Sequence, residues 1–371
     1  SGNNGVGIAT TNLDNSGTIS SNTAVSVVTD NLTLTGTVSS PDGDIYIGPM
    51  TARPITVGQG GCQVAPCLLI PDASTTKFNS LKLAIGNDTN GGDIYIGGTT
   101  PLDRTVSGWL ALLTNGGITQ DPAADITALN LGISANTGPV TLDSGSAAMP
   151  PVPHHVSNLA ATNDGAFSIY VAGPLTVTSL TGGETPVTIT GITAPGGVNI
   201  KSDGTITLAN PITAGVSPVS LTAVGSVLSS NGTALDISGG MLDVSANGVG
   251  TNASPLNTAI NSLVASGGPG SVYLKNTLPL AVNSISADGD VWLSNTSTIT
   301  VPGTIFSGSG NVTATAAGTS SDIKVTEMGS IEGTIVKLDA GRDLQVTGGT
   351  VFATDTANVT AGRDIKVAGV T

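Results

Sequence analysis

The phrase DAGRDLQVTGG at positions 339–349 returns as TAGRDIKVAGV at 360–370, displaced by 21 residues. A shorter form of the same word, SDIKV, stands one interval earlier at 321–325. Other words recur at similar distances: GTIS at 17–20 and GTVS at 36–39 are 19 apart, and GDV at 289–291 and GNV at 310–312 are 21 apart. A period of this size restricts the fold sharply. Propeller blades need about 40 residues or more, and the Leu-x-x-Leu-x-Leu phrase of leucine-rich repeats is missing. A lap of 19–24 residues holding short alternating strands fits an all-β, right-handed parallel β-helix, in which backbone hydrogen bonds run between laps. The period-two pattern places Ile323, Val325, Leu344, Val346, Ile365 and Val367 on one face, predicted to stack inward as a core ladder.

Composition agrees with many strands and tight turns. The chain has 51 glycines in 371 residues, 39% hydrophobic residues and only 10% charged ones. A longer word appears in residues 78–98, 156–173 and 260–276. Each instance offers Leu81, Leu159 or Leu263, then a Gly-rich turn, then a strand with Tyr95, Tyr170 or Tyr273. Gly and Asn are expected at corners that need positive φ. No linker marks a second domain, so residues 1–371 read as one solenoid with excursions near 49–77, 99–130 and 143–158. In the second excursion, Val106, Trp109, Leu110 and Leu113 have helical spacing; Trp109 with Leu110, Leu112 and Leu113 reads as core or a cap over it, and as a partner-binding patch if exposed. A short helix is also predicted over 254–268, with Ser254 as N-cap, Pro255 at N1, Leu256, Ile260, Leu263 and Val264 on one side and Gly267 at its end.

The formal charge of −14 argues against nucleic acid, whose phosphates require clustered Lys and Arg, and against an anionic membrane surface. No run of 18 apolar residues exists, so no membrane insertion by a helix is expected. The first residues show no leader, which is read as a leader already removed or an excised piece. Cys62 and Cys67 are the only cysteines, and four intervening residues with Gly and Pro flanking or inside the interval suit a local disulfide, which favours an oxidising compartment; the rival readings are free thiols and a metal site, for which the only histidines, His154 and His155, are far away in sequence.

The repeated Gly341, Arg342 and Asp343, and Gly362, Arg363 and Asp364, admit two readings. An active site needs different residues converging, whereas these are copies at equivalent laps. They read as repeat turns, Gly at the corner, Arg and Asp outside, each Asp offsetting its neighbouring Arg. No catalytic residue, cofactor or resident metal is expected. The acids are mostly lone Asp beside Gly (Asp42, Asp88, Asp164, Asp203, Asp288), which are turn words rather than paired carboxylates. Calcium at Asp42 and Asp44 or at Asp288 and Asp290 is the weaker alternative to plain turns there. His154 and His155 read as a loop pair without further ligands. Seven Asn-x-Ser/Thr sequons (Asn31, Asn87, Asn231, Asn252, Asn295, Asn311, Asn358) are about what this Ser/Thr content supplies by chance.

AGRDLQVTGG and AGRDIKVAGV resemble the haemagglutinin-type repeats of filamentous-haemagglutinin-like exoproteins. SPLNTAINSLVASGGPGSVYLKN and DGDVWLSN are similar to phrases of giant, repeat-rich bacterial surface adhesins. The resemblance covers most of the chain in style and about a quarter in specific words. It implies a right-handed parallel β-helix exported across a Gram-negative outer membrane, secreted or at the cell surface, a non-enzymatic shaft for adhesion, toxin delivery or biofilm. The Asn-Pro-Asn-type secretion motif of that family is not found, so either that part is missing or the export route differs. The partners expected are a host or cell-surface receptor, and, at the ends of the β-helix, the rest of a longer chain or further copies of itself. The alternative function is therefore a subunit of an extracellular filament stacked end to end; a β-helical polysaccharide lyase or hydrolase is the third reading. Residues 360–371, with no amphipathic helix or charged strand to blunt the edge, are expected to contact further β-structure.

Overall fold

The computed structural model describes residues 5–87, 89, 92–98, 102–104, 108–145, 150–182 and 187–368. The chain is an all-β parallel β-solenoid of about 16 turns, with no helix among the described residues. Its contacts divide it into two compact units, Ser1–Gly196 and Gly197–Thr371.

In the first unit the inward side chains stack lap upon lap. Val25, Ile45, Leu83, Leu110, Leu131 and Leu159 lie opposite one another in successive strands and are at most 1% exposed. Burial of one such side chain is worth roughly 1.5–3 kcal/mol, and each ladder repeats that gain at every lap. The intervals between paired residues vary widely here, from 13 (Ile55 opposite Leu68) through 19 (Val6 opposite Val25) and 28 (Thr127 opposite His155) to 40 (Val38 opposite Phe78). The sequence word that equates Leu81 with Leu159 is out of phase. A register shift between Ser40 and Asp44 offsets the strand Phe78–Asn87, so Leu83 takes the inward place and Leu81 is 51% exposed.

Two expected excursions are largely ladder. Within 49–77, the strand Ile55–Val57 is paired on both sides, with Leu68–Ile70 and Ile94–Ile96; the projection is the turn at 58–67. Within 99–130, Trp109–Thr114 is a strand paired with Phe78–Asn87 and Ile126–Ala135, not a helix; Val106 lies outside the described residues. All six residues of that strand are buried. Leu110 and Leu112 face the solenoid core. Trp109, Ala111 and Leu113 lie on the other side, in one apolar cluster with Tyr46, Ala84, Ala160, Leu180 and Ile189. The last two come from an antiparallel hairpin, Ser179–Gly182 with Val187–Thr190, laid over the outer face. A strand buried on both faces reads as a continuous apolar run, and such a run also matches helical spacing. From 143 to 153 no strand occurs among the described residues.

The second unit repeats the plan more regularly. Leu280, Ile299, Ile323, Leu344 and Ile365 are successive partners, as are Val325, Val346 and Val367. Residues 254–268 form two strands, Leu256–Ala259 and Ser262–Gly268, in place of the expected helix. Leu256, Thr258 and Ile260 alternate inward, the corner at Asn261 resets the phase, and Leu263 and Ala265 continue it. Corners are closed by buried Asn. The Asn276 side chain accepts the Ile260 N–H (2.9 Å) and donates to the Leu278 carbonyl (2.7 Å); Asn295 donates to Leu278 O (2.9 Å) and Thr298 O (3.2 Å). Asn295 is fully buried by this work, so its sequon is not a surface site. The positive-φ positions among the described residues are all Gly, so Asn does not take them; it closes corners through its side chain instead.

Candidate functional site

Gly341 and Gly362 are not positive-φ corners. A Cβ on Gly341 would stand 2.0 Å from the carbonyl oxygen of Gly318, and one on Gly362 would stand 2.3 Å from that of Gly341. The repeated glycine lets one lap lie close against the preceding one.

That close approach brings each following Arg onto the Asp of the lap before. Arg342 Nε donates to Asp322 Oδ1 (2.7 Å) and Nη2 to Oδ2 (2.6 Å). Arg363 repeats the fork on Asp343, with Nε 2.9 Å from Oδ1. The reading of Asp343 as an outward residue is thus corrected, while its pairing with Arg342 in its own turn is present at 3.6 Å beside the fork. Its residue is 2% exposed and its carboxylate is held by the next lap. The Arg342 guanidinium, with help from Lys324, brings the buried Asp322 carboxyl down to about 2 against the opposing effect of burial. Arg363 likewise holds Asp343 below the usual carboxylate range.

The same device occurs in the first unit. Burial pushes Asp30 up, but the N–H and hydroxyl of Thr51, Arg53 and the N–H of Met50 overcome it and leave the carboxyl low. Arg104, fully buried, donates to the carbonyls of Phe78 and Ser80 and to the Ser80 hydroxyl, and burial lowers it to about 10. All four arginines of the sequence therefore reach back to a residue 20 to 26 positions earlier, one lap away. One buried carboxylate at a similar strand start has no Arg. Asp236 accepts from Ser229 Oγ (2.9 Å) and the Asn257 N–H (2.8 Å), and burial leaves it above its usual value.

The lap made by Thr350–Ala361 and Asp364–Ala368 is differently placed. Its strands pair with Ser330–Ala340 and Asp343–Thr347 on one side and have no second partner among the described residues. Ile365 is 49% and Val367 57% exposed, so the expected core ladder continues in register but its last rung faces solvent. Leu344, Val346, Val351, Val359, Ile365 and Val367 line an open apolar hollow there. Asp364, half exposed, lies 3.3 Å from Arg363 Nε, whose fork is already closed on Asp343.

The remaining candidates lie apart. Cys62 and Cys67 are joined (Sγ–Sγ 2.01 Å) in the projecting turn, with Cys62 exposed and Cys67 buried. His154 is no loop residue. It is fully buried, bridges to Val171, and its Nδ1 accepts the N–H of Ile126 (3.0 Å). Exposed His155 lies 3.4 Å from Asp125, whose carboxyl burial pushes up and the two histidines pull down further. Asp44 faces Lys82 at 4.0 Å, and Asp290 accepts from the Asn311 N–H (2.9 Å) and the Tyr273 hydroxyl (3.3 Å). Neither Asp pair gathers a third His, Cys, Asp or Glu into a metal-holding group among the described residues, and Asp88 lies outside them. Trp109, 8% exposed, is packed beneath the hairpin rather than offered to a partner. The lap-to-lap Arg–Asp fork was missed in the sequence; its signal was that Asp precedes an apolar strand residue at 322 and 343, with Arg one residue short of a lap later. No family model, no curated protein and no solved structure matches the chain.

Proposed function

We propose that the chain is a non-enzymatic structural segment of a secreted, repeat-rich bacterial exoprotein, whose stacked laps act as a stiff shaft at the cell surface. The observation that carries this reading is the use of arginine. Each of the four ties its own lap to the one before, through Asp30, the Phe78–Ser80 backbone, Asp322 and Asp343. Fixed forks between laps, added to continuous parallel hydrogen bonding and apolar ladders, resist sliding and bending. The resemblance of the Ala-Gly-Arg-Asp laps to haemagglutinin-type repeats supports the same role. Electron microscopy of native material tests it: rods are expected, and compact particles would remove the reading. Product release from neutral or acidic polysaccharides, lost on changing one Asp or Arg, would instead favour the hydrolase or lyase reading.

A further inference from the structure

We propose that Asn231–Gly232 is a self-modification site: the Asn231 side-chain amide is lost by attack of the Gly232 nitrogen, and the product unfastens a turn tied to buried Asp236. The inference goes beyond the shaft reading and does not depend on it.

The pair Asn-Gly stands at three described places, 115–116, 231–232 and 247–248. Glycine matters in the second position because no Cβ shields its nitrogen from the preceding side chain. The fold treats the three pairs differently. The Gly116 N–H donates to Thr114 Oγ1 (3.0 Å), and a Cβ there would stand 2.4 Å from Asp93 Oδ1, so that nitrogen is engaged and crowded. Asn247 is held between laps. Its N–H donates to Gly225 O (2.8 Å), its Nδ2 to Val224 O (2.7 Å), and Val249 close by bridges to both Val227 and Val272. Asn231–Gly232 lies outside the ladders, in the turn between the strands Val227–Ser229 and Ile237–Ser238. Gly232 is exposed, sits at φ +68°, and a Cβ on it would meet nothing within 4 Å. Its N–H has no acceptor among the described residues.

The step needs only water. The Gly232 nitrogen gives its proton to solvent base and bonds to Asn231 Cγ; the Cγ–Nδ2 bond breaks and ammonia leaves. Water then opens the five-membered imide at one of its two carbonyls, giving aspartate or isoaspartate. One water is consumed and one ammonia released, with no change of oxidation state. Either product lacks the Nδ2–H that Asn231 donates to Leu235 O (2.9 Å), and its carboxylate, an acceptor only, faces that carbonyl unfavourably. Isoaspartate also lengthens the backbone by a methylene, which carries the Gly232 carbonyl off Asn257 Nδ2 (3.2 Å) on the next lap. The same turn reaches inward: Ser229 Oγ accepts the Asn231 N–H (3.4 Å) and donates to Asp236 Oδ1 (2.9 Å), and Asp236 is fully buried.

Peptide mapping of the chain held in mildly alkaline buffer tests the site, with enzymatic methylation of isoaspartyl carboxyls as the readout. In the folded chain Asn231 is expected to convert about tenfold or more faster than Asn115 and Asn247, and in denaturant all three are expected to convert alike. Conversion of Asn115 or Asn247 as fast as Asn231 in the folded chain overturns the proposal. A gap that persists in denaturant assigns the difference to sequence and overturns the role of the fold. Asn231→Gln, which cannot close a five-membered imide, is expected to abolish the signal at this position. Carboxyl labelling with a carbodiimide and glycine ethyl ester reads the consequence. Asp236 is expected to be protected in fresh chain and to label several-fold more in chain enriched in isoaspartate at position 231; equal labelling overturns the unfastening. Asn231→Gln aged in parallel is expected to keep Asp236 protected, and a rise in labelling there assigns the exposure to general ageing and overturns it as well.

Discussion

Gly341 shows how little of a residue's role is carried by its type. The corner it occupies needs no left-handed backbone; it needs the absence of a Cβ, which would stand 2.0 Å from the Gly318 carbonyl. Gly341→Ala is therefore expected to cost about 1–3 kcal/mol of stability, since backbone and not a flexible side chain must give way. Gly17→Ala, where a Cβ meets nothing within 4 Å, is expected to be near neutral by the same thermal melt. The buried carboxylates give opposite pH signatures. Asp322 lies at about 2 in the fold, below its value of 3.8 in an open chain. Its stabilisation is present above that open-chain value and is lost as pH falls through the folded one. Arg342→Gln is expected to lower the melting point at neutral pH and to flatten the acid limb between pH 4 and 2; an unchanged acid limb would count against the fork. Asp236 is raised, so the fold favours its protonated form. Its contribution is full below the open-chain value and fades as pH rises through the folded one. Asp236→Asn is expected to equal or exceed the parent in stability at pH 7 and to lose that advantage near pH 3, as followed by denaturant midpoints.

At the scale of the element, the strand Trp109–Thr114 is held from two sides. Leu112, fully buried in the solenoid core, is expected to cost about 2–5 kcal/mol when changed to Ala, the range for deleting a core side chain. The outer side depends on the hairpin. Ile189→Asp would place a charge in the cluster with Trp109 and is expected to lift the hairpin. Trp109 fluorescence, read in a Trp292→Phe background, is then expected to shift to the red while far-UV dichroism stays constant. A loss of both signals would show that the hairpin belongs to the core rather than covering it. The projecting turn with Cys62 and Cys67 closes only a short loop, so reduction is expected to cost about 2 kcal/mol at most by loop-closure entropy. Intact mass without reductant checks the bridge itself: two free thiols would rule it out.

For the whole molecule, the sequence determined the class of answer and the tertiary structure determined the places. The 21-residue interval with period-two apolar residues left a parallel solenoid as the consistent fold, because equivalent residues of equal laps must stack if the backbone is to pair. Ile323 over Leu344 over Ile365 follows from that interval alone. Where laps were unequal, the interval failed as a guide. The 28-residue lap and the doubly buried strand at Trp109 looked like a loop and a helix in one dimension, and the shift between Ser40 and Asp44 put Leu81 out of phase with the ladder. Burial on a second face is set by the distant hairpin at 179–190, and no local pattern announces it. The same holds for charge. Arg342 and Asp343 are neighbours in sequence and read as a pair, yet the extended backbone leaves the Arg a better partner one lap below. A fork between laps depends on the roughly 4.8 Å separation of stacked strands, a distance that only the folded chain creates.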